Sequence, residues 1–143
     1  MEAIIGKQFP NKVIPLIKNA KNSIKIVVFY WRWYPNDPAN PVQLFNQAII
    51  QARRRGVQVS VVTNIPEVIK ILNDNGCSAK RPATPKLIHS KLMIIDDKIL
   101  VLGSHNYTQS AFTMNHEASI VINSGESIEE FERNFNNLYN NYD

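Results

Sequence analysis

The sequence predicts an α/β domain with a mixed β-sheet and helices on both faces. Three observations carry that expectation. Over the first eighty or so residues, apolar positions at helical spacing alternate with short β-rich runs. Two further β-rich runs then meet around Asp97-Lys98, a hairpin signal that adds antiparallel pairing. Finally, 143 residues, 44% of them hydrophobic, suffice for one core, so residues 1–143 read as a single domain.

The elements follow in order. Val13, Ile14, Ile17 and Ala20 recur at helical spacing and predict a first helix over about 10–22. Ser23–Tyr30 is β-rich and mostly apolar, as a buried strand requires. Trp31–Pro41 holds three prolines and reads as a loop. From Pro41 a second helical pattern runs through Val42, Phe45, Ile49 and Ala52 to Arg55, with Gly56 as its stop. Val57–Thr63 is the next strand. Asn64 is placed to cap a helix with Pro66 in its first turn, running to Asn75 before Gly76. Cys77–Lys80 reads as a short strand, and Arg81–Lys86, with Pro82 and Pro85, as a loop. Leu87–Ile95 and Ile99–Ser104 form the expected hairpin, and Ala118–Ile122 a further strand. Ser124 or Ser127 starts a final helix through Phe131, Phe135 and Leu138. There is no internal repeat, low-complexity tract or Gly/Ser linker.

Composition narrows the function. Charged residues make up 20%, which excludes an intrinsically disordered chain, a collagen-like chain and a coiled coil. One cysteine excludes an internal disulfide and a Cys-rich zinc site. No apolar run approaches the ~20 residues of a membrane-spanning helix, so no stable membrane insertion is expected. Met1–Lys7 lacks the apolar stretch of a signal peptide. The visible sequence thus reads as cytoplasmic, with a periplasmic or secreted setting if a leader has been removed. Net charge is +4 but uneven. Residues 1–91 carry 14 basic and 4 acidic residues, whereas residues 92–143 carry 2 basic and 8 acidic. The basic part points to a polyanionic partner, nucleic acid or an anionic membrane surface.

One stretch carries chemistry. It reads His89-Ser90-Lys91, four residues, Asp96, six residues, then Gly103-Ser104-His105-Asn106. On a strand, His89 and Lys91 leave the same face, as do Ser104 and Asn106. A paired hairpin would bring all four to one end of a sheet. Gly103 removes a side chain where a ligand or backbone must come close. A neutral imidazole is a competent nucleophile or general base. A lysine offers a compact cation for a phosphate oxygen, and a hydroxyl and an amide add hydrogen bonds. This set performs phosphoryl transfer with no metal and no cofactor, and no carboxylate cluster accompanies it to hold magnesium.

The pattern H-x-K-x4-D-x6-G-S-x-N resembles the signature of the phospholipase D superfamily at every fixed position. Asn115 and Glu117 match that family's downstream N-x-E, and the element order is similar. Length and a single motif look most like the small endonucleases of the superfamily, although specific identity is confined to residues 89–117. The resemblance implies that His89 attacks phosphorus and forms a covalent phosphohistidine. It implies that Lys91 and Asn106 bind the phosphate oxygens, that Ser104 lines the same pocket, and that Glu117 accepts a hydrogen bond from the far nitrogen of His89. Asp96, at the hairpin turn, suits a structural hydrogen-bonding role. The family's mechanism also needs a second acid for the leaving oxygen. One motif is present, and His105 and His116 lack companion lysine and asparagine. The implied assembly is a homodimer with its active site on the two-fold axis, each copy giving His89, Lys91, Ser104 and Asn106.

The resulting expectation is a metal-independent phosphodiesterase that hydrolyses nucleic acid, DNA in preference to RNA. Lys80, Arg81 and Lys86 flank the loop that leads into His89 and are expected on the substrate backbone. Tyr30, Trp31, Trp33 and Tyr34 read either as a platform that stacks unpaired bases or as packing in the core or at a dimer interface, with Trp33 and Tyr34 expected as the exposed pair. Arg53, Arg54 and Arg55 sit at a helix end, where cations suit the dipole. Two other functions use the same residues. A phospholipid-cleaving hydrolase would carry an apolar groove or a membrane-lying helix, which the sequence does not display. A catalytically silent nucleic-acid-binding module would bind with steep salt dependence and never form a phosphorylated intermediate.

Overall fold

In the computed structural model, residues 1–125 and 127–140 are described. They form, in chain order, β1 (Glu2–Ile5), α1 (Gln8–Lys18), β2 (Ser23–Val28), α2 (Pro41–Arg54), β3 (Gln58–Thr63), α3 (Pro66–Asp74), β4 (Ser78–Lys80), β5 (Leu92–Ile95), β6 (Ile99–Gly103), α4 (Gln109–Thr113), β7 (Ala118–Ile122) and α5 (Ser127–Asn140). The strands make one seven-stranded sheet in the order β1-β7-β6-β5-β2-β3-β4. β2, β3 and β4 run parallel, and every other neighbouring pair is antiparallel. The fold is therefore a mixed α/β sheet, as the alternation of elements followed by a hairpin required.

Side-chain alternation assigns each strand residue to a face. Ile24, Ile26, Val28, Val59, Val61, Met93, Ile95 and Val101 meet the apolar stripes of α1, α2, α3 and α4. Val27, Val62, Leu92, Ile94 and Leu100 point the other way, onto Ile128 and Phe135 of α5. One helix thus covers the second face, and an ion pair of Lys25 with Glu132 at 2.7 Å adds to its attachment. Burial of these side chains from both faces is the main stabilising term.

Several boundaries differ from expectation, each for a local reason. The first helix ends at Lys18, not near 22, because the N–H groups of Lys21, Asn22 and Ser23 turn to the Asp96 carboxylate instead of continuing the helix. The hairpin turn falls on Asp96-Asp97, one residue earlier than Asp97-Lys98. Both aspartates are left-handed, at φ 54° and 57°, and Lys98 N–H donates to the Ile95 carbonyl at 3.0 Å. Aspartate is among the few non-glycine residues that tolerate this conformation. Asn64 does not cap α3, whose N-terminal flank is Ile65 without a side-chain cap. Gly56, at φ 100°, ends the second helix in a conformation that a side chain would resist. The final helix begins at Ser127, not Ser124. β1 and α4 were not anticipated, and residues 87–91 form a loop where a strand was expected.

Candidate active site

The polar cluster forms where the C-terminal ends of β2 and β6 meet the chain entering β5. In open α/β sheets, ligands favour the carboxyl ends of the parallel strands. His89 and Lys91 lie just before β5, in extended loop rather than strand, yet their side chains still converge. Lys91 Nζ stands 3.1 Å from His89 Nδ1 and 3.4 Å from Nε2. At these distances the ammonium can donate to a ring nitrogen that carries no proton, and the tautomer sets which nitrogen that is. The His89 ring is exposed and packs on Phe29, with centroids 5.5 Å apart. Lys91 is only 8% exposed. Burial pulls its ammonium down from the usual lysine range, and the nearby Glu117 carboxylate opposes that.

Asn106 follows β6 and is oriented by its own hydrogen bond. Its Oδ1 accepts from the Tyr30 N–H at 3.1 Å, which directs the Nδ2 donors away from that backbone. Gly103 ends β6 because a Cβ there would collide with Ser119 and the Ala118 carbonyl of β7. The close neighbour at Gly103 is therefore strand β7, through Ser119 and the Ala118 carbonyl, and not a ligand.

Glu117 departs from the geometry that the resemblance implied. Within the chain it does not bond His89. Its Oε1 accepts from Ser104 Oγ at 2.5 Å, and its Oε2 accepts from Asn115 Nδ2 at 3.1 Å. Ser104 Oγ in turn accepts from the Ala118 N–H at 3.0 Å. The single hydroxyl proton of Ser104 is thus committed to Glu117, so Ser104 is not placed as a phosphate donor here. Asp96 lies at the opposite end of the sheet. Its carboxylate accepts from Lys21, Asn22 and Ser23 N–H groups at 2.7 to 3.2 Å, and these bonds outweigh desolvation to hold it below the usual carboxylate range.

The expected substrate-binding residues divide. Arg81 and Lys86 line a cavity of about 440 Å³ that shares Phe29 with the His89 site. Lys80 does not join them, since its ammonium sits 4.0 Å over the Tyr139 ring of α5. Trp33 and Tyr34 are not an exposed pair. Both are half-buried against the main core, and Tyr34 Oη accepts from the Gln109 N–H at 2.9 Å. The exposed aromatic of the loop is Tyr30, at 41%. It belongs to the same aromatic group, in which Trp31 is fully buried. Arg53 and Arg55 hold backbone carbonyls, of Gly76 and of Ile17 and Ala20. His105 is buried and stacks on Phe9 with centroids 4.5 Å apart. Its Nε2 lies 2.9 Å from the Gly6 carbonyl and its Nδ1 2.7 Å from Ser119 Oγ. Burial keeps its pKa below the usual imidazole value. Among the described residues, no three His, Cys, Asp or Glu side chains converge as metal ligands would.

Residues 13–139 match the family model described as "Cardiolipin synthase, PLD-like domain". The chain is 29% identical over 123 residues to the 5'-3' exonuclease PLD3 of Xenopus laevis, covering 75% of this chain and 25% of that protein. It is 31% identical over 97 residues to the mitochondrial cardiolipin hydrolase of Homo sapiens, covering 61% of this chain and 38% of that protein. It spans a quarter to a half of the length of the curated relatives that it matches. Among solved structures it resembles Nuc from Salmonella typhimurium, described as a phospholipase D family member. The TM-score is 0.80 at 22% identity, covering 97% of this chain and 94% of that one. NucT from Helicobacter pylori gives 0.77, also at 22% identity, with 96% and 93% covered. At these identities the likeness is one of fold.

Proposed function

The chain belongs to the phospholipase D-like family, and from that premise we propose that it is a metal-independent phosphodiesterase that cleaves nucleic acid. The observation that carries the reading is the His89 imidazole with Lys91 Nζ at 3.1 Å, beside the oriented Asn106 amide. A phosphodiester entering this site offers oxygens to Lys91 and to Asn106 Nδ2. As Lys91 turns to an oxygen it releases the ring lone pair, which attacks phosphorus in line. The P–N bond forms as the bond to the leaving oxygen breaks. The two cationic and amide donors offset charge on the phosphoryl oxygens where it accumulates.

The leaving oxygen needs a proton from the side opposite His89. His105 is buried, with both ring nitrogens bonded to Ser119 and Gly6, and cannot supply it, and His116 has no lysine or asparagine companion. We assign that role to His89 of a second copy across a two-fold axis. That second imidazolium protonates the leaving oxygen. It then removes a proton from water, which attacks the phosphohistidine, breaks the P–N bond and restores the nucleophile. Glu117 acts in this scheme through Ser104 and as the negative charge near Lys91, rather than by orienting His89 within its own chain.

Nucleic acid is favoured over lipid by the basic approach. Arg81 and Lys86 line the cavity next to His89, and Arg32 lies on the other flank. The similar proteins whose names denote lipid hydrolysis cleave the same kind of bond, so lipid hydrolysis is the second outcome to score. The test is cleavage of single- and double-stranded DNA and RNA in excess EDTA, beside anionic phospholipid vesicles. Nuclease activity that survives EDTA and disappears in His89→Ala is expected, with DNA cut faster than RNA. A need for divalent ions, retained activity in His89→Ala, or turnover of vesicles alone would overturn the proposal. Sedimentation of the active species should give twice the chain mass, and full activity in a monomer would remove the shared-site mechanism.

A further inference from the structure

A cavity of about 650 Å³ is lined in part by Asn106 and Arg32, and its other walls take no part in the scheme above. Its wall includes Tyr30, Arg32, Tyr34, Gln109 and Asn115. Sites for small ligands typically occupy roughly 300–1,000 Å³. Three features set the chemistry of this one.

Tyr30 is the exposed aromatic of the loop, and its backbone is clamped on both sides. Its N–H donates to Asn106 Oδ1 at 3.1 Å, and its carbonyl accepts from the Tyr107 N–H at 3.0 Å. A π-face on a fixed backbone receives a ring with little further ordering. Arg32 is clamped likewise, its N–H donating to the Tyr107 carbonyl at 3.0 Å. Among the described residues its guanidinium has no ion-pair partner. Lastly, the polar groups of the wall are half-used. Gln109 Oε1 accepts from Asn40 Nδ2 at 3.3 Å, which leaves the Gln109 NH2 as a donor. Asn115 spends its NH2 on Glu117, which leaves its carbonyl oxygen as an acceptor. Tyr34 Oη accepts from Gln109 N–H, which leaves its proton to give.

An aromatic face, a free guanidinium and unspent donors and acceptors together fit a nucleotide: a flat ring, a phosphate and a polar ring edge. We infer that this cavity holds the nucleotide next to the scissile phosphate, its base unpaired and stacked on Tyr30, its phosphate on Arg32. Asn106 joins the two positions, since one end of its amide holds Tyr30 and the other faces the reacting phosphate. In a duplex the ring faces and edges are already occupied, so the subsite selects single strands. This inference rests on the nucleic-acid reading and names the form of that substrate.

The experiment maps cleavage products of a single-stranded oligonucleotide that carries one abasic residue, moved along the strand, with the matching duplex alongside. In the wild-type protein, cutting at the bond that places the abasic residue in the cavity should fall roughly 5- to 150-fold, the usual range for a lost base–aromatic stack. Tyr30→Ala should cut slowly and without that gap in the pattern, whereas Tyr30→Trp should keep the gap. Arg32→Gln should lower the salt slope of binding by about one phosphate contact. Thermal unfolding of each variant checks that it folds. Nucleic-acid cleavage with no abasic gap in the wild-type protein, or a gap that persists in Tyr30→Ala, overturns the subsite and leaves the nuclease reading intact. Equal cutting of the duplex does the same. A change in sedimentation with no abasic effect assigns Tyr30 to contact between copies and also overturns the subsite. A wild-type protein that cuts no nucleic acid overturns both readings together.

Discussion

At the β5–β6 turn, the Asp96 carboxylate is fully engaged by the backbone of residues 21–23, and both turn aspartates are held in left-handed conformations. At the other end of the same two strands His89 is exposed and Lys91 lies buried against an imidazole, and among the described residues Asn106 keeps its NH2 unspent and no carboxylate comes within ion-pair distance of Lys91. One end satisfies its polar groups, and the other leaves them for a ligand. The H-x-K-x4-D-x6-G-S-x-N pattern therefore mixes two kinds of residue. Asp96 and Gly103 hold the hairpin and its neighbours in place, whereas His89, Lys91 and Asn106 are what the hairpin presents. Ser104 stands between them, bonded inward to Glu117 and Ala118.

Substitutions at the two ends should separate activity from stability. The largest effect is expected for His89→Ala, which should lower kcat at least about a thousandfold, since removing a covalent nucleophile ends that pathway. Its midpoint of thermal unfolding should stay near that of the wild-type protein, because the ring is exposed. Lys91→Met comes next, with a loss of roughly a hundred- to a thousandfold in kcat, the usual cost of one lost donor at a developing negative charge. Both are read by oligonucleotide cleavage beside calorimetry.

At Gly103 the order reverses. Gly103→Ala drives a methyl group into Ser119 and the Ala118 backbone, and should cost about 3 kcal/mol or more in denaturant unfolding. Asp96→Asn should cost about 1–3 kcal/mol, since a neutral amide accepts the three N–H groups more weakly and water can partly replace it. Its activity, at temperatures where it is folded, should remain within a few-fold of the wild type. The same carboxylate predicts an acid dependence. Folding lowers its pKa, so its contribution is complete above the unfolded value near pH 4 and is lost as pH falls through the folded value. Wild-type unfolding free energy should drop over that range, and the drop should be shallower in Asp96→Asn. The smallest effect is on the stability of Lys91→Met. Burial disfavours the charged lysine in the folded state, so this variant should unfold at the wild-type temperature or slightly above it. A marked loss of stability there, or full activity with an unfolded hairpin in Asp96→Asn, would dissolve the division between the two ends.

The sequence made the central strands legible because their runs, rich in Val and Ile, are buried on both faces. It made the polar cluster legible because spacing within a hairpin translates into convergence. β1 was not legible, since its four residues acquire strand character only by pairing with β7, which is over a hundred positions away. α4 was missed because five residues are too few to show a period, although Thr108 caps it through the Ala111 N–H at 3.3 Å. Of the aromatic group Tyr30, Trp31, Trp33 and Tyr34, the expected exposed pair was Trp33 and Tyr34, and the exposed member is Tyr30. That difference was set by which aromatic ring the core had room to take. The partner of Ser104 was likewise not readable, because Glu117 reaches it from just before β7, thirteen residues further along the chain.

The His105 imidazole, tied to the Gly6 carbonyl and to Ser119, has a practical consequence. The N–H that it gives to Gly6 is shut off from water as long as β1 stays paired with β7. That single proton is a clock for the opening of the sheet edge. Its NMR resonance, followed during exchange into deuterated solvent, would time the fraying of the first strand independently of substrate turnover.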